Sequence, residues 1–523
     1  MKTRISQIFD HLRLNRRPDA PNNYYQLLGN ESGQFEKEEA EEDEEDTELS
    51  SSTDGLPHVL RRRRFNPRWV LALFPSFLHT DKGLRPTAWL DGLRGIASLF
   101  VVLHHMSLLW FPWTIHNGWA NGPSSSYIQL PIIRLIISGP ANVMLFFVVS
   151  GYALSYKPIT ILREGKFLEM YQSLASSIFR RHARLFIPAI IMCFPAPIIA
   201  FLGGFGGGGG GGMKGAAIRP MDPPRFDSIW GQMWHYGKSL ITLTDVYNSN
   251  GGVGWVYSDS LWTLPVEFRS SLVVFGLLVA LSKCTRRARL VVETGVAVYS
   301  WWLFHWAEFL FVGGMVVVDS TLGGKSICWQ PGDGAVTSMP SGLLHGTLPV
   351  RDSGMKRPIS RLGRLCAVVG FILALFVLGM PERERGAAEA WGFKGLAALV
   401  PEHFHADGAA DRFWQPLAAV LLVLIIDRAE FLQGIFTTRL AQYLGRISFA
   451  LYLVHMLILH SLGFWLGNVF WEITGSYGCG VGLAGVAVMC VIVCVADLGS
   501  RFVDGNVVQF TGWVYRCLCK SAV

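Results

Sequence analysis

Charge is scarce in this chain. Only 16% of its 523 residues are Asp, Glu, Lys or Arg, whereas soluble domains carry about 25%. Half of the residues are hydrophobic, so the deficit excludes an ordinary soluble globular protein and points to lipid as the solvent. The nine cysteines, at 193, 284, 328, 366, 479, 490, 494, 517 and 519, include no CxxC pair, and neither a disulfide framework nor a zinc site is expected. The run Gly203 to Gly212, broken only by Phe205, has no Lys-Ser/Thr after it. That excludes a phosphate-cradling loop and leaves a flexible linker. The N-terminal segment lacks the apolar core of a signal peptide.

The tail over residues 1–85 is expected to be largely disordered and cytosolic, because it combines an acidic run between Glu36 and Glu48 with the four arginines Arg61 to Arg64 and few apolar residues. The formal net charge is +7. In a soluble protein this would suggest a nucleic-acid partner, but here Lys and Arg cluster beside hydrophobic runs, so membrane topology accounts for it and no nucleic acid is expected.

The candidate spans are 89–111, 132–155, 185–202, 261–282, 289–318, 365–381, 413–427, 443–465 and 479–497. Basic groups precede the first (Arg61 to Arg64), separate the second from the third (Lys157, Arg163, Lys166, Arg180, Arg181, Arg184) and follow the fourth (Lys283, Arg286, Arg287, Arg289). Placing all of them in the cytosol, together with the basic loop 320–364, requires 289–318 to go out and return, as a tight pair of crossings, a re-entrant hairpin or short tilted helices. The expectation is an all-α, polytopic membrane helix bundle of about ten transmembrane helices, multi-pass, with both termini cytosolic and a short C-terminal tail over 511–523.

Ionisable groups at membrane depth are costly and face a bundle interior or a wet cavity. Arg94 and His105 lie eleven positions apart within one apolar stretch, and at about 100° per residue they share a helix face, whereas His104 points elsewhere. Glu267 sits one turn into a hydrophobic run. Two roles fit it: orienting a catalytic histidine, or pairing with an arginine to hold helices together. Ser448, Tyr452 and His455 form one helical stripe, suited either to a site or to interhelical hydrogen bonding. Arg180, Arg181 and Arg184 fit both topological anchoring and phosphate binding. No metal site is expected, since Glu402, His403, His405 and Asp407 lack a further ligand at a defined spacing.

Several segments recur in one order: Asp91-Gly-Leu-Arg-Gly-Ile-Ala with His104-His105, Phe146-Phe-Val-Val-Ser-Gly-Tyr152, Arg180-Arg-His-Ala-Arg184, Leu261-Trp-Thr-Leu-Pro-Val-Glu-Phe268, Phe311-Val-Gly-Gly-Met315, Leu444-Gly-Arg-Ile-Ser-Phe-Ala-Leu-Tyr-Leu-Val-His455 and Ala496-Asp-Leu-Gly-Ser-Arg-Phe-Val-Asp504. Together they resemble the acyltransferase-3 family of integral membrane acyltransferases, in its fungal form, over residues 86–510. The resemblance implies transfer of an acyl group, commonly acetyl, from acyl-CoA to a hydroxyl of a small molecule, such as a secondary metabolite, or of a carbohydrate. No bound cofactor is implied.

On that reading Arg94 meets the donor's phosphate or pantetheine portion, helped by Arg180, Arg181 and Arg184. His105 is the general base, Glu267 its orienting partner or a second polar wall, and Ser448, Tyr452 and His455 line one shared chamber. A proton-coupled small-molecule transporter and a catalytically silent membrane scaffold are the alternatives from other classes.

Overall fold

A computed structural model describes residues 84–519 apart from 121–124, 207–212, 214–215, 220, 248–254, 323–359, 382–389 and 407–410. All of these belong to the compact unit Arg68–Val523. The expected N-terminal tail, up to residue 83, most of the basic loop 320–364 and most of the glycine run lie outside the described residues.

Among the described residues the chain is helical and contains no strand, only an isolated bridge between Trp255 and Ser258. In chain order the helices are α1 (Ala88–Trp110), α2 (Gly139–Arg163), α3 (Phe167–Met192), α4 (Pro195–Phe201), α5 (Ile229–Thr244), α6 (Thr263–Ala280), α7 (Arg286–Trp302), α8 (Trp306–Thr321), α9 (Arg361–Leu378), α10 (Lys394–Ala398), α11 (Glu402–Ala406), α12 (Asp411–Arg428), α13 (Glu430–Phe436), α14 (Arg439–Ile458), α15 (Phe464–Thr474), α16 (Tyr477–Gly499) and α17 (Gly505–Leu518). A π turn, Leu459–Gly463, joins α14 to α15, and a second, Ser500–Asp504, joins α16 to α17.

Seven helical stretches among the described residues are long and apolar enough to cross a membrane: Ala88–Trp110, Gly139–Arg163, Phe167–Phe201, Asp259–Ala280, Arg361–Leu378, Arg439–Thr474 and Tyr477–Leu518. The expected figure of about ten also counted α12 and two crossings within 289–318. That segment forms α7 and α8, of 17 and 16 residues, shorter than the twenty or so residues a span needs. Helix α17 takes in most of the segment expected as a short C-terminal tail. Leu362, Leu365, Val369, Ile372 and Leu373 on α9, with Leu483, Val486 and Val495 on α16, are exposed. An apolar outer surface of this kind belongs in lipid, as an integral membrane protein requires.

Association of helices in lipid depends on close packing through small residues. A Cβ on Gly95 of α1 would overlap the backbone of Leu444 and Gly445 on α14, and one on Gly445 would overlap the carbonyl of Asp91. The two helices therefore touch backbone to backbone at their basic ends. The contacts Gly95 to Gly445 and, further on, His105 to His455 ascend together in both helices, so α1 and α14 run parallel. Helix α2 meets α8 in the same manner through Gly151 and Gly314. At the ends of α2 and α8, buried Asp319 accepts from Arg289 at 2.7 Å through both oxygens and pairs with Arg163 at 2.7 Å. This knot ties α7 and α8 to α2 and holds the compressed 289–318 hairpin in place.

Ala217 and Met221 lie against the opposite end. The amide of Ala217 donates to the Phe111 carbonyl at 2.7 Å, and that of Met221 to His460 Nδ1 at 2.6 Å.

Gly95→Leu is expected to destroy the α1–α14 contact, at a cost of about 3 kcal/mol or more because backbone rather than side chain must give way. Size-exclusion yield in detergent should fall sharply. Gly237→Leu, where a Cβ meets nothing within 4 Å, should leave the yield unchanged.

Candidate active site

The α1–α14 contact sets one guanidinium in place. Arg94 Nε donates to Ser448 Oγ at 2.9 Å, its Nη2 donates to the Gly445 carbonyl at 3.2 Å, and the same nitrogen lies 3.4 Å from Asp91. The Ser448 hydroxyl donates onward to the Gly445 carbonyl at 2.8 Å. Ser448 thereby commits its only donor to its own helix and one acceptor position to Arg94.

Arg94 opens into a cavity of about 350 Å³, whose polar wall comprises Arg94, Arg181, Arg184, Arg446, Glu267, Asp504, Ser150, Ser448, Thr263 and Tyr452. Phe146, Phe147 and Phe449 are among its apolar lining. Four guanidiniums thus face two carboxylates in the lining, with Asp91 beside Arg94 as a third, which leaves the space positive. Such a cavity suits a phosphate-bearing ligand, because guanidinium forks match phosphate oxygens.

Glu267 Oε1 accepts from Arg181 at 2.7 Å and from Ser150 Oγ at 3.4 Å. Of the two roles open to it, the geometry gives it the arginine as partner and a place in the cavity wall; it makes no contact with His105. Arg180 is not among the lining residues, and its Nε donates to the Ser176 carbonyl at 3.0 Å. The Tyr452 hydroxyl donates to the Ser260 carbonyl and accepts from Thr263 Oγ1 at 2.7 Å.

His105 and His455 do not line this cavity. A file of rings leads to them from its wall. Phe146 lies 6.2 Å from Tyr452, Tyr452 5.6 Å from His455, and His455 5.1 Å from His105, centroid to centroid. The expected single chamber is therefore divided, with the guanidiniums in one compartment and the imidazoles behind Tyr452. Arg94 and His105 stand roughly 16 Å apart along α1, at 1.5 Å per residue, so no single small group touches both.

Two charged cavity residues, with the hydroxyls of Ser150 and Thr263, escaped the sequence reading. Arg446 lies two positions before Ser448, inside a motif already singled out, and an intramembrane arginine was signal enough. Asp504 lies in the π turn after α16, a local geometry that composition does not announce.

A family model described as an acyltransferase domain, of the acyltransferase-3 type, matches residues 87–498. The O-acetyltransferase PaAT-1 of Phomopsis amygdali is 38% identical over 468 residues, covering 86% of this chain and 89% of that protein. Acyltransferase R4 of a Phoma species and acyltransferase clz18 of Cochliobolus lunatus are each 23% identical, covering 82% of this chain and 96% of their own length. No solved structure matches.

A double-mutant cycle of Glu267→Gln with Arg181→Gln, read as thermal stability in detergent, should give a coupling of roughly 0.5–3 kcal/mol, as for residues in contact. Glu267→Gln with His105→Gln should be additive to within about 0.5 kcal/mol. Coupling confined to the second pair would return Glu267 to the histidine.

Proposed function

The chain belongs to the acyltransferase-3 family, and from that premise we propose that this membrane acyltransferase moves an acetyl group from acetyl-CoA to a hydroxyl of a small molecule, such as a secondary metabolite or a sugar. The observation that carries the reading is the positive cavity built on Arg94, with an imidazole pair deeper on the same two helices. Arg94, Arg181, Arg184 and Arg446 hold the donor's phosphates. The thioester end reaches past Phe146 and Tyr452 toward His105. Both termini and the basic loops lie in the cytosol, so the donor enters from the cytosolic side.

His105 then works as a general base, because a neutral imidazole carries a nitrogen lone pair that can accept a proton. It takes the hydroxyl proton as the hydroxyl oxygen bonds to the thioester carbonyl carbon. The C–S bond breaks, the thiolate leaves, and the proton passes from the imidazolium to sulfur, giving free thiol and ester. Direct attack needs no covalent enzyme intermediate. The printed name of the Phomopsis amygdali relative, an O-acetyltransferase, supports acetyl as the group moved and oxygen as its destination.

Extracts of cells with and without the gene, compared by mass spectrometry, should differ by species heavier by one acetyl group. His105→Ala should lower kcat by on the order of 10²- to 10⁴-fold, the usual worth of a positioned base. Arg94→Ala should raise KM for acetyl-CoA by roughly 10- to 100-fold, the worth of a charged hydrogen bond, with Arg94→Lys intermediate. Acyl transfer untouched by His105→Ala, or uptake lost with no acyl transfer at any stage, would sink the reading.

A further inference from the structure

We infer that His455 is the residue that orients His105, forming a histidine–histidine dyad in which a neutral imidazole does what a carboxylate does in other acid–base sites. The inference rests on His105 being the base, as proposed above. A catalytic imidazole needs its second nitrogen held, because that bond fixes both tautomer and ring orientation. Glu267 is committed to Arg181 and Ser150. The partner must come from elsewhere.

Among the described residues, His105 Nδ1 and His455 Nε2 are both buried and neither has a hydrogen-bond partner. Their rings stand 5.1 Å apart and are inclined by 43°. An N–H···N bond of about 3 Å between two imidazoles places their centroids about 5 Å apart. The spacing is already that of a bonded pair, and rotation of the rings closes it. Catalytic hydrogen bonds commonly tighten only when substrate is bound.

The tautomers agree with this assignment. His455 Nδ1 lies 2.7 Å from the Tyr452 carbonyl, which can only accept, so Nδ1 carries the proton and Nε2 of the neutral ring holds a bare lone pair. Two other imidazoles lie within electrostatic range of His105; His460 has no such lone pair, and His104, whose ring is equally near at 5.1 Å, carries its own on the side that faces Gly139. His104 Nδ1 donates to the Ile137 carbonyl at 2.6 Å, while its Nε2 is turned to Gly139, 2.7 Å from where a Cβ there would stand. His460 Nδ1 accepts from the Met221 amide at 2.6 Å, so its Nε2 carries the hydrogen and can only donate. His455 is the acceptor that remains.

With Nδ1–H given to His455, His105 Nε2 is left bare. His105 is only half-buried, so open space adjoins its ring. The hydroxyl proton moves to Nε2, and the resulting imidazolium is stabilised through its Nδ1–H by the His455 lone pair. No carboxylate or cation takes part in the dyad. The dyad itself offers a charged acceptor no counter-ion, which favours a neutral alcohol.

The test uses the full chain in lipid nanodiscs with labelled acetyl-CoA and, as acceptor, the organic extract of gene-deleted cells. His455→Phe should lower kcat on the order of 10- to 100-fold, the scale seen when an orienting partner is removed, with KM for acetyl-CoA unchanged. His455→Gln, whose amide oxygen can accept in place of Nε2, should recover most of the loss. Nitrogen-15 spectra of labelled wild-type histidines should show His105 and His455 each protonated at Nδ1 and bare at Nε2. Wild-type kcat in His455→Phe, equal loss in the Phe and Gln variants, or a His105 proton on Nε2 would each overturn the dyad. Should the variants fail to fold, the wild-type tautomers decide alone. A wild type that transfers no acetyl group defeats the function proposed above, and the spectra still decide the dyad.

Discussion

The backbone contact between Ala88–Trp110 and Arg439–Ile458 is the constraint on which the candidate site depends. Gly95 and Gly445 let two parallel helices approach until main chain meets main chain. At that distance Arg94 reaches Ser448 and the Gly445 carbonyl. Because the helices stay together as they ascend, the same contact brings His105 beside His455. One small-residue contact thereby sets the register of two chemically distinct pairs. A bulkier residue at either glycine would separate both pairs at once.

The division of the polar groups follows from the energetics of charge. A guanidinium cannot shed its proton, so it must remain solvated or paired. The arginines stand accordingly in the cavity near the basic end, where Glu267 and Asp504 share the wall. An imidazole can be neutral and tolerates deeper burial. His455 and His460 are almost fully enclosed, each satisfied at Nδ1 by a single backbone group. Tyr452 marks the boundary, its hydroxyl spent on Ser260 and Thr263 and its ring on Phe146 and His455.

What was legible beforehand is what lipid makes expensive. Arg94, His105, Glu267 and the Ser448–Tyr452–His455 stripe stood out as polar groups in apolar runs, and periodicity put Arg94 and His105 on one face of an unbroken helix. Periodicity identifies a face; it does not name the neighbour across it. Arg94 and Ser448 are 354 positions apart, and Arg181 and Glu267 are 86 apart. Such pairings are decided by how glycines and aromatic rings let the helices pack, which is why the fold was needed to name Arg181 as the arginine of Glu267 and to choose between the two roles open to Ser448. The split of 289–318 into two short helices was obscure for a related reason. It depends on Asp319 meeting Arg163 and Arg289 across three helices.

That same ion cluster throws the cavity into relief. Asp319, fully buried, has both oxygens matched to Arg289 and a further guanidinium beside it. Desolvation penalises any buried charge left uncompensated, and the Asp319 carboxylate meets its two arginines at 2.7 Å. The cavity is built on the opposite plan. Four guanidiniums converge on two carboxylates of the lining, with Asp91 beside Arg94 as a third, in a space large enough to admit a ligand. Mutual repulsion among the arginines is unfavourable while the space holds only water and small ions, and it is relieved when a polyanion enters. On the function proposed above, that excess serves the phosphates of the donor.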